Sequence, residues 1–546
     1  MSEPFAPTTI PRTLIETAKR RPGHEALVFP PHDRFAYAEL LDRSIEAARS
    51  LAGLGVRRGD HVGLLMPNCP DFVFAFYGAQ LLGAVAVPIN TRFRTRELGY
   101  VVENADLVCL LTSDIVEERV DYADRLVESV PGLAGADDTE RLELEVAPRL
   151  RAVVLLGAGE RPGLLSRSRF GELGAGVDDA DVLREAFRAG PDDVALMLYT
   201  SGTTAQPKGC LITHDAALGV WCESARELQV TEDDRMWDAL PLFHMSCLGP
   251  LLFTVELGGT LISHAHFEPG SALDALERED ATWMYSVFPP IIMALIKDPS
   301  FASRDISRVR GLLNVAPVET MHLIERAFPG ARNVGGHFGM TEASGAITCN
   351  PWEGTRRQHA ETHGPPLPGV EVIAVDPETG DERPPGIPGE LLVRGRGLMR
   401  GYHRDSELTA EAVRGGWLHS GDLGVVDEDG FVTYLSRLKD MLKVGGENVA
   451  PAEIESHLST HPAVKLVQVV GAPDERLGEV VAAFVELAAG QTWTEEEAIA
   501  FCHGQVAGYK VPRYVRFVDE WPMSATKIQK FRLRELIKDE LTTPEL

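Results

Sequence analysis

The residues best placed to do chemistry form a short polar run, Thr200-Ser-Gly-Thr-Thr-Ala-Gln-Pro-Lys-Gly209, which directly follows the apolar stretch Val194-Ala-Leu-Met-Leu-Tyr199. A strand feeding such a loop can deliver it to an oligophosphate. Gly202 lets backbone N–H groups approach closely, the hydroxyls of Thr200, Ser201, Thr203 and Thr204 donate to phosphate oxygens, and Lys208 supplies a point charge. Walker spacing is absent, because Gly202 is followed at the fifth to seventh positions by Pro207, Lys208 and Gly209 rather than by Gly, Lys and Ser or Thr. A polar surface turn after a strand has the same composition, so the loop alone decides nothing.

Three further segments each offer another part of nucleotide handling. In Gly335-Gly-His-Phe-Gly-Met-Thr-Glu342 the ring of Phe338 can stack an adenine face, while Thr341 and Glu342 can serve phosphate and Mg²⁺. In Trp417-Leu-His-Ser-Gly-Asp422 a carboxylate after a tight turn can accept both ribose hydroxyls. In Pro522-Met-Ser-Ala-Thr-Lys-Ile-Gln-Lys530, Lys527 lies on a loop ahead of a basic helix. Each has a plainer reading, as a turn or as a solvated lysine.

Positioning such segments takes a large scaffold, and 546 residues exceed what one core holds, so at least two domains are expected. A content of 44% hydrophobic and 25% charged residues is that of a folded globular chain. Fifty-three Lys and Arg against 81 Asp and Glu leave a net charge of −28, which repels nucleic acid and anionic lipid, so an anionic ligand must be met by local charge. Seven scattered cysteines without C-x-x-C spacing exclude a disulfide framework and a zinc site and fit a reducing, cytoplasmic setting; no secretory signal is read at the N-terminus. The apolar stretch Phe72 to Ile89 is read as a buried helix ending at Leu82, a turn at Gly83 and a short strand, not as a membrane span.

Up to about residue 435, helical stretches such as Thr13–Lys19 and Tyr37–Leu54 alternate with strand-like runs such as His61–Met66, Val108–Thr112 and Ala152–Leu156. This is α/β patterning. Residues 134 to 190 read as surface elaboration. A hairpin is expected over Gly424–Leu435 around Asp427-Glu-Asp-Gly430, and a small α+β unit follows, with a helix Pro451–Ser459, strands Val464–Val470, Val480–Leu487 and Tyr514–Asp519, and a capping box Thr494-x-x-Glu497.

Taken together, the phosphate loop, the F-G-M-T-E segment, H-S-G-D-L-G and S-R-L-K-D-M-L-K-V-G-G-E-N-V-A-P-A-E-I-E resemble, in this order, the signatures of the adenylate-forming superfamily of acyl-CoA synthetases, adenylation domains and luciferases. The resemblance spans most of the chain. It implies a large N-terminal α/β domain with layered sheets and helices, residues 1–436, and a small C-terminal α+β domain, residues 437–546, joined by a hinge at Lys439. The activity it implies is ATP-dependent formation of an acyl-adenylate with release of pyrophosphate, then transfer to coenzyme A. Loading a carrier-protein thiol is the alternative, and a homodimer is compatible with the chain.

The resemblance assigns Thr200, Ser201, Gly202, Thr203, Thr204 and Lys208 to the triphosphate, Phe338, Gly339 and Thr341 to the nucleotide, Glu342 to Mg²⁺, and Asp422 and Arg437 to the ribose. Lys527 becomes the adenylation lysine, Gly445 and Gly446 the passage for the thiol, and His244 an aromatic gate. Trp237, His244, Met245, Phe288, Asn314, Val315, Gly336 and His337 line the acyl pocket by analogy; without a lysine or arginine among them, an apolar monoacid is expected. Two departures stand out: Ala205 and Thr526 occupy places where the family commonly has glycine, and the second leaves Lys530 as a competitor of Lys527.

Overall fold

The computed structural model describes residues 5–200, 206–444, 447–474, 476–524 and 527–542, and of residues 447, 448, 524 and 527 the backbone alone. Packing divides the chain into two units, Met1–Glu371 with Val393–Leu418, and Val372–Leu392 with His419–Leu546.

The first unit is built on two sheets. One runs in the order Arg332–Gly335, Gly311–Asn314, Trp283–Val287, Arg235–Trp237, Thr260–Ile262, Glu25–Phe29, Asp33–Ala36, parallel except for its last pair. The other has Gly401–Tyr402, Lys208–Thr213, Val194–Thr200, Val85–Pro88, His61–Leu65, Leu107–Thr112, Ala152–Leu155 and Leu165–Ser166 side by side, and its first two pairings are antiparallel. Their central strands are buried along their whole length, as parallel strands covered on both faces must be, which is why they read as unbroken apolar runs.

The stretch read as helix, turn and strand folds that way: a helix Pro70–Leu81, Gly83 at φ +66°, and a strand Val85–Pro88. Phe72, Phe76 and Tyr77 are enclosed on all sides of that helix, which explains its lack of a polar face. Among the described residues no helix is long and apolar enough to cross a membrane.

Residues 134 to 190 correct the expectation of mere surface elaboration. Leu142, Leu144, Ala147 and Leu150 are buried in one core with Leu110, Val153 and Leu155 of the second sheet. Their spacing has no helical or strand period, so burial was not legible there.

In the second unit the hairpin strands Trp417–Val426 and Val432–Arg437 turn at Gly430, φ +82°. Beyond it, Gly478–Leu487 pairs with Val464–Asp474, Leu442–Val444 and Tyr514–Phe517. Its side chains alternate: Val481, Ala483 and Val485 pack with Ile454 and Leu458 of the helix Pro451–Ser459, whereas Val480, Ala482 and Phe484 pack with Leu533 and Ile537 of the helix Lys530–Thr542. Thr494 and Glu497 close the expected capping box at Glu495–Cys502.

Buried histidines, His214 and His264 among them, tie the first unit to pH. His214 Nδ1 accepts the Ile10 N–H at 3.3 Å and His264 Nε2 accepts the Trp237 indole N–H at 3.0 Å, so both rings must be unprotonated at those atoms. Burial lowers each pKa from 6.5 to about 4. The unfolded chain therefore binds protons first, and the stability these rings contribute is complete above pH 6.5 and lost as pH falls towards 4. The urea midpoint is expected to be flat above pH 6.5 and to fall between 6.5 and 4, with a shallower fall in His264→Gln, which keeps an acceptor for Trp237 without a titrating ring.

Candidate active site

Ligand crevices in open α/β sheets lie outside the carboxyl ends of the strands, and five of the residues singled out in the sequence, Trp237, Phe288, Asn314, Val315 and Gly336, sit at such ends. In the first sheet Trp237 pairs with Met284, Val287 with Asn314, and Asn314 with Gly335, so Trp237, Phe288, Val315 and Gly336 are at or just past the carboxyl ends of neighbouring strands. Two backbone bonds hold these ends level: Val315 N–H donates to Val287 O at 2.7 Å, and Gly336 N–H to Asn314 O at 2.9 Å. Gly335 can be nothing larger, because a Cβ there would collide with the His359 carbonyl. Val287 itself sits at φ +49°, a costly conformation for a β-branched residue, and bends the chain so that Phe288 emerges, 46% exposed.

In the second sheet Thr200 pairs with Lys208, making the phosphate-loop segment the connection of a hairpin; residues 201 to 205, including Ser201, Gly202, Thr203, Thr204 and Ala205, lie outside the described residues. The Thr200 hydroxyl is buried against the Cys210 thiol, inside the hairpin. Lys208 Nζ lies 5.5 Å from the centroid of the Tyr402 ring, and the Tyr402 hydroxyl donates to Glu342 Oε1 at 3.0 Å. Burial and the Glu342 carboxylate raise the Tyr402 pKa, so the phenol keeps its proton and is the donor. Glu342 stands in a 3₁₀ turn, Thr341–Ala343, that ends at Ser344 in the left-handed region, φ +57°. Ser344 is locked there by its hydroxyl on Gly397 O at 2.7 Å and by the Trp221 indole on its own carbonyl at 2.7 Å.

Around His337 is a partly buried polar cluster. Its Nε2 meets Ser224 Oγ at 2.9 Å and Cys349 Sγ at 3.2 Å, and its Nδ1 meets the Tyr285 hydroxyl at 3.3 Å. Burial foremost, then His363, lowers its pKa to about 4, so the ring is neutral. Asn314 is likewise satisfied inside the protein, by Ser286 Oγ at 2.8 Å and Asn333 Oδ1 at 2.9 Å. Trp237 and Asn314 have no exposed surface and so stand behind the expected pocket wall rather than on it; Met245 is buried, while His244, Val315 and His337 are half-buried. Phe338 is buried too, its backbone fastened to Thr348 Oγ1 at 3.1 Å. His244 opens the helix Met245–Leu257, and the loop leading to it is bracketed by Asn68, which donates to Leu240 O at 2.7 Å and accepts from Leu242 N–H at 2.8 Å.

Within the second unit Asp422, 2% exposed, faces Arg437 across the hairpin at 2.9 Å, and Arg437 also donates to Ser420 O at 3.0 Å. Lys439 lies in the 3₁₀ turn Leu438–Asp440, with Asp440 paired to Arg534 at 2.5 Å, and burial lowers its pKa. Gly445 and Gly446 lie outside the described residues, between strands that pair Val444 with Glu447. Lys527 begins a two-residue strand paired with Met523–Ser524. Its competitor Lys530 is held by Glu455 at 2.6 Å.

Residues 14–403 match the model of the AMP-binding enzyme family, and residues 453–527 match that of the AMP-binding enzyme C-terminal domain. The chain belongs to the AMP-binding enzyme family. A putative acyl-CoA synthetase, YngI of Bacillus subtilis, is 36% identical over 97% of both chains. A mitochondrial medium-chain acyl-CoA ligase of Bos taurus is 32% identical over 98% of this chain and 88% of its own. Among solved structures, ATP-bound MatB of Rhodopseudomonas palustris superposes with a TM-score of 0.83 at 29% identity, covering 97% of this chain and 99% of that one.

This AMP-binding enzyme is therefore an AMP-forming acid–thiol ligase of the adenylate-forming superfamily, taking a carboxylic acid, ATP and coenzyme A. Sequence reasoning missed Tyr402, Trp221, Ser224, Tyr285 and Cys349. None lies near its partner in the chain, so only the strand pairings and the packing around His337 bring them in. Since Asn68 fixes the loop of this AMP-binding enzyme that carries His244, Asn68→Ala leaves two buried backbone groups unsatisfied. It is expected to cost about 2–4 kcal/mol in urea unfolding and to raise the KM for the acid more than that for ATP.

Proposed function

We propose that the acid is an apolar monocarboxylic acid, fatty, aromatic or alicyclic, and that Glu342 carries the Mg²⁺ that accompanies ATP. The observation that carries the first part is the inward satisfaction of the polar groups near the strand ends. His337, Ser224, Tyr285 and Cys349 bond to one another, Asn314 bonds to Ser286 and Asn333, and beside them Phe288 and Val315 present apolar surface. An acid with a second carboxylate would find no guanidinium or ammonium among these residues. For the metal, the Glu342 carboxylate takes Tyr402 on one oxygen and has no other hydrogen-bond partner among the described residues, which suits Mg²⁺ held by a single carboxylate together with phosphate oxygens. No cluster of three or more metal-binding side chains occurs among the described residues, and such an ion needs none.

The chemistry requires an anionic carboxylate to attack an anionic α-phosphate. Mg²⁺ supplies charge neutralisation on the triphosphate when bound. Lys208 steadies the β and γ phosphates, Lys527 bridges the substrate carboxylate and the α-phosphate as charge builds, and Asp422 with Arg437 orients the ribose. The attack forms the bond between the acid's oxygen and phosphorus and breaks the bond to pyrophosphate. The acyl-adenylate is a mixed anhydride, and the thiol must reach its carbonyl carbon on the side Lys527 has occupied. Turning residues 437–546 about Lys439 withdraws Lys527 and presents Val444-Gly-Gly-Glu447, whose glycines leave room for a slender pantetheine arm. What favours Lys527 over Lys530 is the ion pair that occupies Lys530.

Acid-dependent exchange of labelled pyrophosphate into ATP over a broad acid panel tests the substrate class. Apolar monoacids are expected to support exchange and dicarboxylic acids of equal length to fall at least about a hundredfold below them; the reverse order would refute the reading. Lys527→Ala is expected to lower adenylate formation by about a thousandfold while leaving thioester formation from a supplied acyl-adenylate within a few-fold of wild type. Equal loss of both half-reactions would refute the division of labour.

A further inference from the structure

Resting on the reading of Glu342 as the metal ligand and Lys208 as the phosphate ligand, we propose that Tyr402 is a positioning residue that sets both charges at once. Its hydroxyl fixes the rotation of the Glu342 carboxylate, and its ring face holds the Lys208 ammonium.

The geometry that carries this is a strip of backbone, residues 399 to 403, fastened on both sides. Met399 N–H donates to Glu342 O at 2.8 Å, which ties the strip to the turn bearing the carboxylate. Arg400 N–H donates to Leu211 O and His403 N–H to Gly209 O, each at 2.7 Å, and Tyr402 pairs with Cys210, which tie it to the strand that begins at Lys208. Tyr402 is thus the one residue of the strip whose side chain reaches both neighbours: Glu342 Oε1 at 3.0 Å through the hydroxyl, and Lys208 Nζ at 5.5 Å over the ring. A carboxylate rotates freely about its last torsion unless an oxygen is pinned. Pinning Oε1 leaves Oε2 at a defined place for a cation. A cation over an aromatic face is attracted by the ring's quadrupole without being neutralised, so Lys208 keeps its full charge for a phosphate. An aspartate or glutamate in the place of Tyr402 would hold the lysine more strongly and cancel it.

Mn²⁺ in place of Mg²⁺ gives a readout independent of turnover: binding of Mn·ATP to the full-length protein by water proton relaxation enhancement, beside binding of metal-free ATP by calorimetry. Tyr402→Phe keeps the ring and loses the hydroxyl, and is expected to weaken Mn·ATP binding about tenfold with metal-free ATP unchanged. Tyr402→Leu removes the ring as well and is expected to weaken metal-free ATP also, by roughly threefold. In a Glu342→Ala background, where no carboxylate remains to be held, Tyr402→Phe is expected to add less than about a twofold loss. A merely structural role predicts the same loss in both backgrounds. That additivity, or wild-type Mn·ATP affinity in Tyr402→Phe, overturns the proposal; absence of Mn·ATP binding by the wild-type protein overturns the functional reading beneath it.

Discussion

An anion must be brought onto an anion, inside a protein whose own net charge is −28. Nothing in the global field helps, so each positive charge that meets ATP has to be held locally, at a defined place, and kept from being cancelled by the many carboxylates around it. On the proposed reading of Lys208 as a phosphate ligand, the arrangement around it answers that constraint. Its ammonium lies over an aromatic face, and the Glu342 carboxylate accepts the hydroxyl of the same tyrosine.

The fold serves this requirement through strand ends. Parallel strands buried on both faces stop at one edge, and backbone bonds such as Val315 to Val287 and Gly336 to Asn314 hold that edge level to within a hydrogen bond. Two of the non-glycine residues in the left-handed region stand near this edge: Val287, which turns the chain so that Phe288 emerges, and the buried Ser344, which ends the turn bearing Glu342. Polar groups at the edge bond to each other. The second unit is organised differently, with an alternating sheet covered on both faces and, on its hairpin, a buried Asp422 paired with the partly exposed Arg437.

Much of this was legible in the chain. Local rules placed the helix Pro451–Ser459, the turn at Gly430, the capping box at Thr494 and the break at Gly83, because each depends on residues within a few positions of one another. Residue types alone suggested the phosphate loop, Phe338, Glu342, Asp422 and Lys527, whereas the roles of His244, Arg437 and Lys439 came only from the resemblance. What could not be read was anything created by pairing across the chain. The Tyr402 contact with Glu342 joins residues sixty apart, the His337 cluster gathers side chains from four segments, and the buried leucines of residues 142 to 150 have no period to announce them. The enclosure of Trp237 against His264 is of the same kind: an indole suits a pocket wall and a core equally, and only its neighbours decide.

The central claim is that the acid's own oxygen attacks the α-phosphate and leaves again with AMP. It is tested most directly by following that oxygen. With the substrate carboxylate labelled at both oxygens with ¹⁸O, turnover with ATP and coenzyme A should place one labelled atom in each AMP and none in the pyrophosphate, as mass spectrometry of the products reads directly. Unlabelled AMP, or label appearing in orthophosphate beside ADP, would contradict the account.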